Sequence, residues 1–205
     1  MKAFLAGLCL PLLLAALLGC AGRARPAAVE DFLELCAAAD DFTLTSSAQF
    51  FDITPGDLFS STSCQIFKDG FGCESYLLKG REIRRLGSGF GGYGLSCAEP
   101  CDLGGAPGLI YAYSFGSGMH RAQVAVLNLE TLEESVLDYA FFQGELLLKR
   151  QSSTRFGLYS AEAALGLSGE TDFAKLPLRQ GELLGEITLE GGAATLLPAE
   201  VSSPS

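Results

Sequence analysis

Hydrophobic and polar positions alternate with three different textures along the chain. Residues 3 to 18 are apolar without interruption, behind the single positive charge of Lys2. From Pro26 the period becomes helical: Val29, Phe32, Leu33 and Cys36 fall at i, i+3, i+4 and i+7, and Glu30 and Asp31 suit the positive end of a helix. One amphipathic helix over about residues 27 to 39 is predicted, with Pro26 as a good starting residue. The stretch Phe50 to Phe59 predicts a second short helical turn, in which Thr54 caps, Pro55 takes the first position and Asp57 lies three beyond the cap.

Beyond Ser63 the apolar runs shorten and are cut by glycine, which is strand patterning. Ser75–Leu78 and Arg81–Leu86 flank a Lys79-Gly80 turn, and Tyr139–Phe142 and Glu145–Lys149 flank Gln143-Gly144, so two hairpins are expected. Leu109–Phe115 and Gln123–Leu129 form the most strand-like pair, and runs at 156–160, 183–189 and 194–197 continue the texture. The hairpin glycines Gly80, Gly144 and Gly181 give no fixed repeat period. A closed propeller needs at least four blades of ~40 residues, more than the about 140 residues after Ser63 supply. The expected fold is therefore mainly β (α+β): an open antiparallel sheet, or a two-layer or partial-propeller-like β domain, with one N-terminal amphipathic helix.

The opening run reads as a signal-peptide core. Its 16 residues reach only about 24 Å as a helix, short of a ~30 Å hydrocarbon layer, and Pro11 interrupts it. The run ends in Leu17-Leu18-Gly19-Cys20, which resembles the lipobox of bacterial lipoproteins. That resemblance implies cleavage before Cys20, a diacylglycerol on its thiol, acyl chains such as palmitate, and a position on the extracytoplasmic side of a cell membrane. Leu18 is bulkier than is usual in a lipobox, and Arg23 and Arg25 follow the cysteine, where positive charge opposes export. The organisation predicted is a signal peptide at 1–19, a lipidated tether at 20–26, one domain at 27–200 and a frayed end at 201–205.

Removing the signal takes Lys2 from the 14 basic residues and nothing from the 24 acidic ones, moving the net charge from −10 to −11. Such a surface repels nucleic acid and anionic headgroups, so attachment to a membrane falls to the lipid. Cys9 leaves with the signal and Cys20 is acylated, leaving Cys36, Cys64, Cys73, Cys97 and Cys101. Outside the cytoplasm the close pairs Cys64–Cys73 and Cys97–Cys101 are disulfide candidates, and five reduced thiols are the alternative.

Few motifs carry chemistry. Gly87-Ser88-Gly89-Phe90-Gly91-Gly92 matches G-x-G-x-x-G, but no helix opens after it to receive a pyrophosphate, so it reads as a loop. Residues 90 to 129, with Phe90-Gly91-Gly92-Tyr93-Gly94, Asp102-Leu103-Gly104-Gly105 and Leu109 to Ser114, resemble an FG-GAP-type repeat. These segments, followed by the turn Gly116-Ser117-Gly118-Met119-His120, also resemble a group of uncharacterised bacterial lipoproteins. The repeat implies a calcium loop at Asp102, yet Gly104 and Ala106 replace its other acids, leaving a tight turn as the simpler reading. His120 is the lone histidine, and with Tyr111, Tyr113, Ser117 and Arg121 it suggests a polar site at one sheet edge. No G-x-S-x-G elbow supports a Ser-His-Asp arrangement, and the C-x₃-C pair is a weak zinc set. No cofactor is expected. The function expected is a membrane-tethered, non-enzymatic binding or interaction domain with an unknown envelope partner; the alternatives are a hydrolase using His120 and a structural envelope component.

Overall fold

A computed structural model describes residues 32–35, 50–53, 64–69, 74–87, 94–116, 120–163 and 178–199. The chain is mostly β. Among the described residues, twelve strands form three four-stranded antiparallel sheets, each built from one continuous stretch. The first sheet holds β1 (Phe50–Ile53), β2 (Cys64–Asp69), β3 (Ser75–Lys79) and β4 (Glu82–Leu86) in that order. The middle sheet holds β5 (Gly94–Asp102), β6 (Pro107–Phe115), β7 (Arg121–Asn128) and β8 (Glu134–Phe141). The last holds β9 (Glu145–Arg150), β10 (Arg155–Ala163), β11 (Leu178–Glu190) and β12 (Ala193–Pro198). The sheet order thus repeats three times without the regular sequence spacing that would have announced it.

The middle sheet is buried on both faces because its strands alternate between two apolar sets. Ile110, Ala112, Ala122, Val124 and Val126 join Leu146, Leu148, Phe156, Leu158 and Ile187 of the last sheet in one core. Leu109, Tyr111, Tyr113, Ala125 and Leu127 join Ile66, Leu77 and Leu86 of the first sheet in another. Successive strand residues point to opposite faces, so β6 and β7 read as nearly continuous apolar runs and not as an amphipathic alternation. Each buried aliphatic side chain contributes about 1.5–3 kcal/mol to holding the stack.

β5, an edge strand, is sealed from both sides. Lys68 of β2 is fully buried, and its ammonium donates to the Leu95 carbonyl at 2.8 Å. The Leu95 N–H donates to Ser75 Oγ at 3.2 Å. On the other side the Leu148 N–H donates to Cys97 Sγ at 3.2 Å, tying β5 to β9. These contacts occupy backbone and side-chain groups that would otherwise be buried unpaired at the sheet junctions.

Several expectations need correction. Gln143-Gly144 does not close a hairpin: β8 pairs with β7 and β9 pairs with β10, so this connection crosses from one sheet to the next. Two-residue spacing favoured a hairpin, but burial of Leu146 and Leu148 against the middle sheet decides otherwise. Phe50–Ile53 is not helical; it pairs with Ile66–Asp69 as a strand. Cys97 and Cys101 hold no disulfide, because both sit on β5, where four residues of extended chain hold them roughly 13 Å apart. Cys64 is buried and paired in register with Lys79, while Cys73 and Cys36 lie outside the described residues.

Only Phe32 to Leu35 of the expected N-terminal helix is described, as helix. Phe32 is completely buried, stacked on Phe67 with ring centroids 4.4 Å apart and tilted against Tyr76. The signal peptide, the lipobox and the 20–26 tether fall outside the described residues. Among those described, no helix is long and apolar enough to cross a membrane.

Gly185 provides a local test of the packing. A Cβ there would lie 2.5 Å from the Leu197 carbonyl oxygen and 2.8 Å from Leu196 Cδ1. Gly185→Ala is expected to cost about 1–3 kcal/mol by pushing β12 off β11, read as a lowered melting temperature. The thiols test the corrected pairing. Burial pushes Cys97 and Cys101 each up to about 12, so both should resist alkylation in the folded protein and react fully once it is unfolded.

Candidate functional site

The residues expected to form one polar site are divided by the middle sheet. Tyr111, Tyr113 and Arg121 belong to rows facing the first sheet; Arg121 and Phe115 are direct cross-strand partners. The rings of Tyr111, Tyr113 and Phe115 run side by side, 5.8 and then 5.9 Å apart. The Arg121 guanidinium lies 5.7 Å from the Phe115 ring and 5.8 Å from that of Phe142, so it is held by aromatic faces. His120 belongs to the opposite side. Ser117 lies outside the described residues.

His120 instead meets an acid that nothing in the pattern singled out. Its Nε2 contacts the Glu145 carboxylate, which is only 2% exposed, and Ser96 Oγ donates to the other Glu145 oxygen at 2.6 Å. The carboxylate therefore stands between the serine and the histidine. In a nucleophilic triad the histidine stands between, where it takes the serine proton. This geometry joins β5, the β6–β7 loop and β9, and it fixes the start of the last sheet on the middle one. Cys97 lies beside it, but burial favours its protonated form, which is a poor nucleophile.

Asp102 is a turn residue. Its Oδ1 accepts the Gly105 N–H at 2.6 Å, and Leu103 N–H donates to the Ala106 carbonyl at 2.9 Å. Gly104 and Gly105 take φ of +77° and +100°, which side chains with a Cβ rarely adopt. No group of three or more metal-ligating side chains occurs among the described residues.

A groove of about 800 Å³ opens where β4 meets loops of the other two sheets, lined by Arg84 of β4, the β5–β6 loop, β7 and its turn into β8, and the β11–β12 turn. Asn128 organises one wall. Its Oδ1 accepts the N–H groups of Glu130 and Thr131 at 2.8 and 3.1 Å, and its carbonyl accepts that of Leu132 at 2.9 Å. That turn holds Leu132 at φ +58°, a left-handed conformation that is costly for leucine. Opposite, Arg84 contributes a guanidinium whose Nε is buried without a hydrogen-bond partner among the described residues.

Arg84 and Glu134 were legible in principle. Arg84 pairs with Leu77, and Leu77 with Ile66, so this charge occupies a row that otherwise faces the core. Glu134 likewise pairs with Leu127, whose other neighbour is Leu109. The Tyr111 hydroxyl donates to Glu134 and accepts the Gly87 N–H at 3.1 Å. Burial, and then the charge of Glu134, push the Tyr111 phenol strongly upward, so it stays a donor. Compared with protein-family models, curated proteins and solved structures, the chain finds no match.

Three measurements check this geometry. Tyr111→Phe leaves the Gly87 N–H and the Glu134 carboxylate without their partner, and should cost about 1–3 kcal/mol in chemical denaturation. His120→Ala should destabilise by about the same amount, because the buried Glu145 carboxylate keeps only Ser96. Glu99 on β5 has its carboxyl raised by burial, partly offset by Arg150. A folded-state value above the unfolded one means that protonation favours the fold, so stability is lost as pH rises through the raised value. Glu99→Gln should therefore gain stability relative to the parent at neutral pH and lose that advantage near about pH 4.

Proposed function

We propose that the chain is a non-enzymatic binding domain, held on the extracytoplasmic side of a cell membrane by lipid on Cys20, with the groove between the three sheets as its site. The three sheets act as blades of an open, propeller-like arc, and the groove lies where Arg84 of the first sheet faces turns of the other two. The observation that carries this reading is the groove itself: Arg84 of the first sheet and turns of the other two line about 800 Å³, a size typical of small-ligand sites. The strained Leu132 and the unsatisfied Arg84 on its walls add weight, since such features persist where they serve a site. A hydrolase acting through His120 has less support, because Glu145 occupies the position that a nucleophile would need.

Mass spectrometry tests both halves. Protein extracted from membranes should begin at Cys20 and carry acyl mass; a chain starting at Met1, or an unacylated Cys20, removes the anchor. Under native conditions the parent should retain a ligand mass that Ser135→Trp, which fills the groove from β8, does not. Identical spectra for parent and variant would remove the groove as the site.

A further inference from the structure

Resting on that reading of the groove, we infer that its ligand is a short aliphatic peptide with both termini free, bound through its carboxylate by Arg84. The charges on the walls exclude simpler choices. Arg84 is half-buried in a row that otherwise faces the core, and its Nε–H meets no acceptor among the described residues. Among the described residues no carboxylate forms an ion pair with Arg84, so its guanidinium charge is left for a ligand; a carboxylate suits its two terminal amino groups. An inorganic anion would need more positive charge than one arginine. It would also sit beside Glu133 and Glu134 on a chain of net charge −10.

The same two acids set the other end of the ligand. Glu134 is aimed by Tyr111, which donates to one carboxylate oxygen, and Glu133 lies next to it on the rim. Together they suit an ammonium group or amide N–H. A metal cation fits poorly, since no cluster of metal-ligating side chains gathers here among the described residues. Between the two charged ends, Leu103, Val126 and Leu132 supply apolar wall. Gly191 and Gly192 supply bare backbone at φ +57° and +87°, with open space where a Cβ would stand. A ligand that carries one negative end, one positive end and an aliphatic middle matches every part of this lining.

The test is calorimetric titration of the membrane-extracted protein in detergent with alanyl-leucyl-alanine, its C-terminal amide, its N-acetyl form and free leucine. The free tripeptide should bind, and blocking either terminus should weaken binding by about tenfold or more, as loss of a charge-assisted pair does. Arg84→Gln should weaken the free tripeptide to the level of the amide while binding the amide as the parent does. Arg84→Lys, which keeps the charge but not the fork, should fall between them. Melting temperatures of both variants close to the parent's show that the fold is intact. Equal affinity of the parent for tripeptide and amide, or an Arg84→Gln variant still sensitive to amidation, overturns the role of Arg84. Equal affinity for free leucine overturns the peptide assignment. If none of the four probes binds while Ser135→Trp still abolishes a retained mass, the ligand class is wrong and the groove remains the site. If Ser135→Trp changes nothing, the groove itself is wrong.

Discussion

Two-sided burial of β6 and β7 is the constraint on which the rest of the structure depends. A strand apolar on both faces needs a layer on each side, and neighbouring segments of the same chain supply them. The first and last sheets meet that demand, one against Leu109, Tyr111 and Tyr113, the other against Ile110, Ala112 and Val124. Polar groups at the seams follow from the same demand: Lys68 and Ser75 on Leu95, Cys97 on Leu148, and Glu145 between Ser96 and His120. Each supplies a partner for a backbone or charged group that stacking the sheets removes from water.

The strands were readable, as were the pairs β3–β4 and β6–β7, but the remaining partners were not. Short apolar runs punctuated by glycine located β3, β4, β6, β7, β9 and β12 closely, and the middle parts of β10 and β11, because alternation and turn residues are local signals. Pairing is non-local. The turn at Gly144 has hairpin spacing on both sides, and only burial of Leu146 and Leu148 against a different sheet shows that the chain crosses over. Phe50–Ile53 failed for a related reason, since Thr54 and Pro55 gave a strong helix-start signal whereas the partner strand lies more than a dozen residues on.

The site was harder still. Period-two alternation separates His120 from its neighbour Arg121, and sequence adjacency had placed them together. Glu145 begins an apolar strand like any surface acid, and its role exists only because Ser96 and His120 arrive from elsewhere. Arg84 and Glu134 did leave a trace, a charge in a row otherwise occupied by core residues, and that kind of local contradiction is what a functional residue leaves in a sequence.

Since each sheet is one contiguous stretch and packs on the stretch that precedes it, the fold can be completed in the order in which the chain is made. The middle sheet acquires its first cover at once from residues already present. Its second face, carrying Ile110, Ala112, Val124 and Val126, stays bare until the last sheet has arrived. During synthesis, that interval is when the protein is most exposed to association with its neighbours. Its length is set by the roughly sixty residues still to emerge after β8.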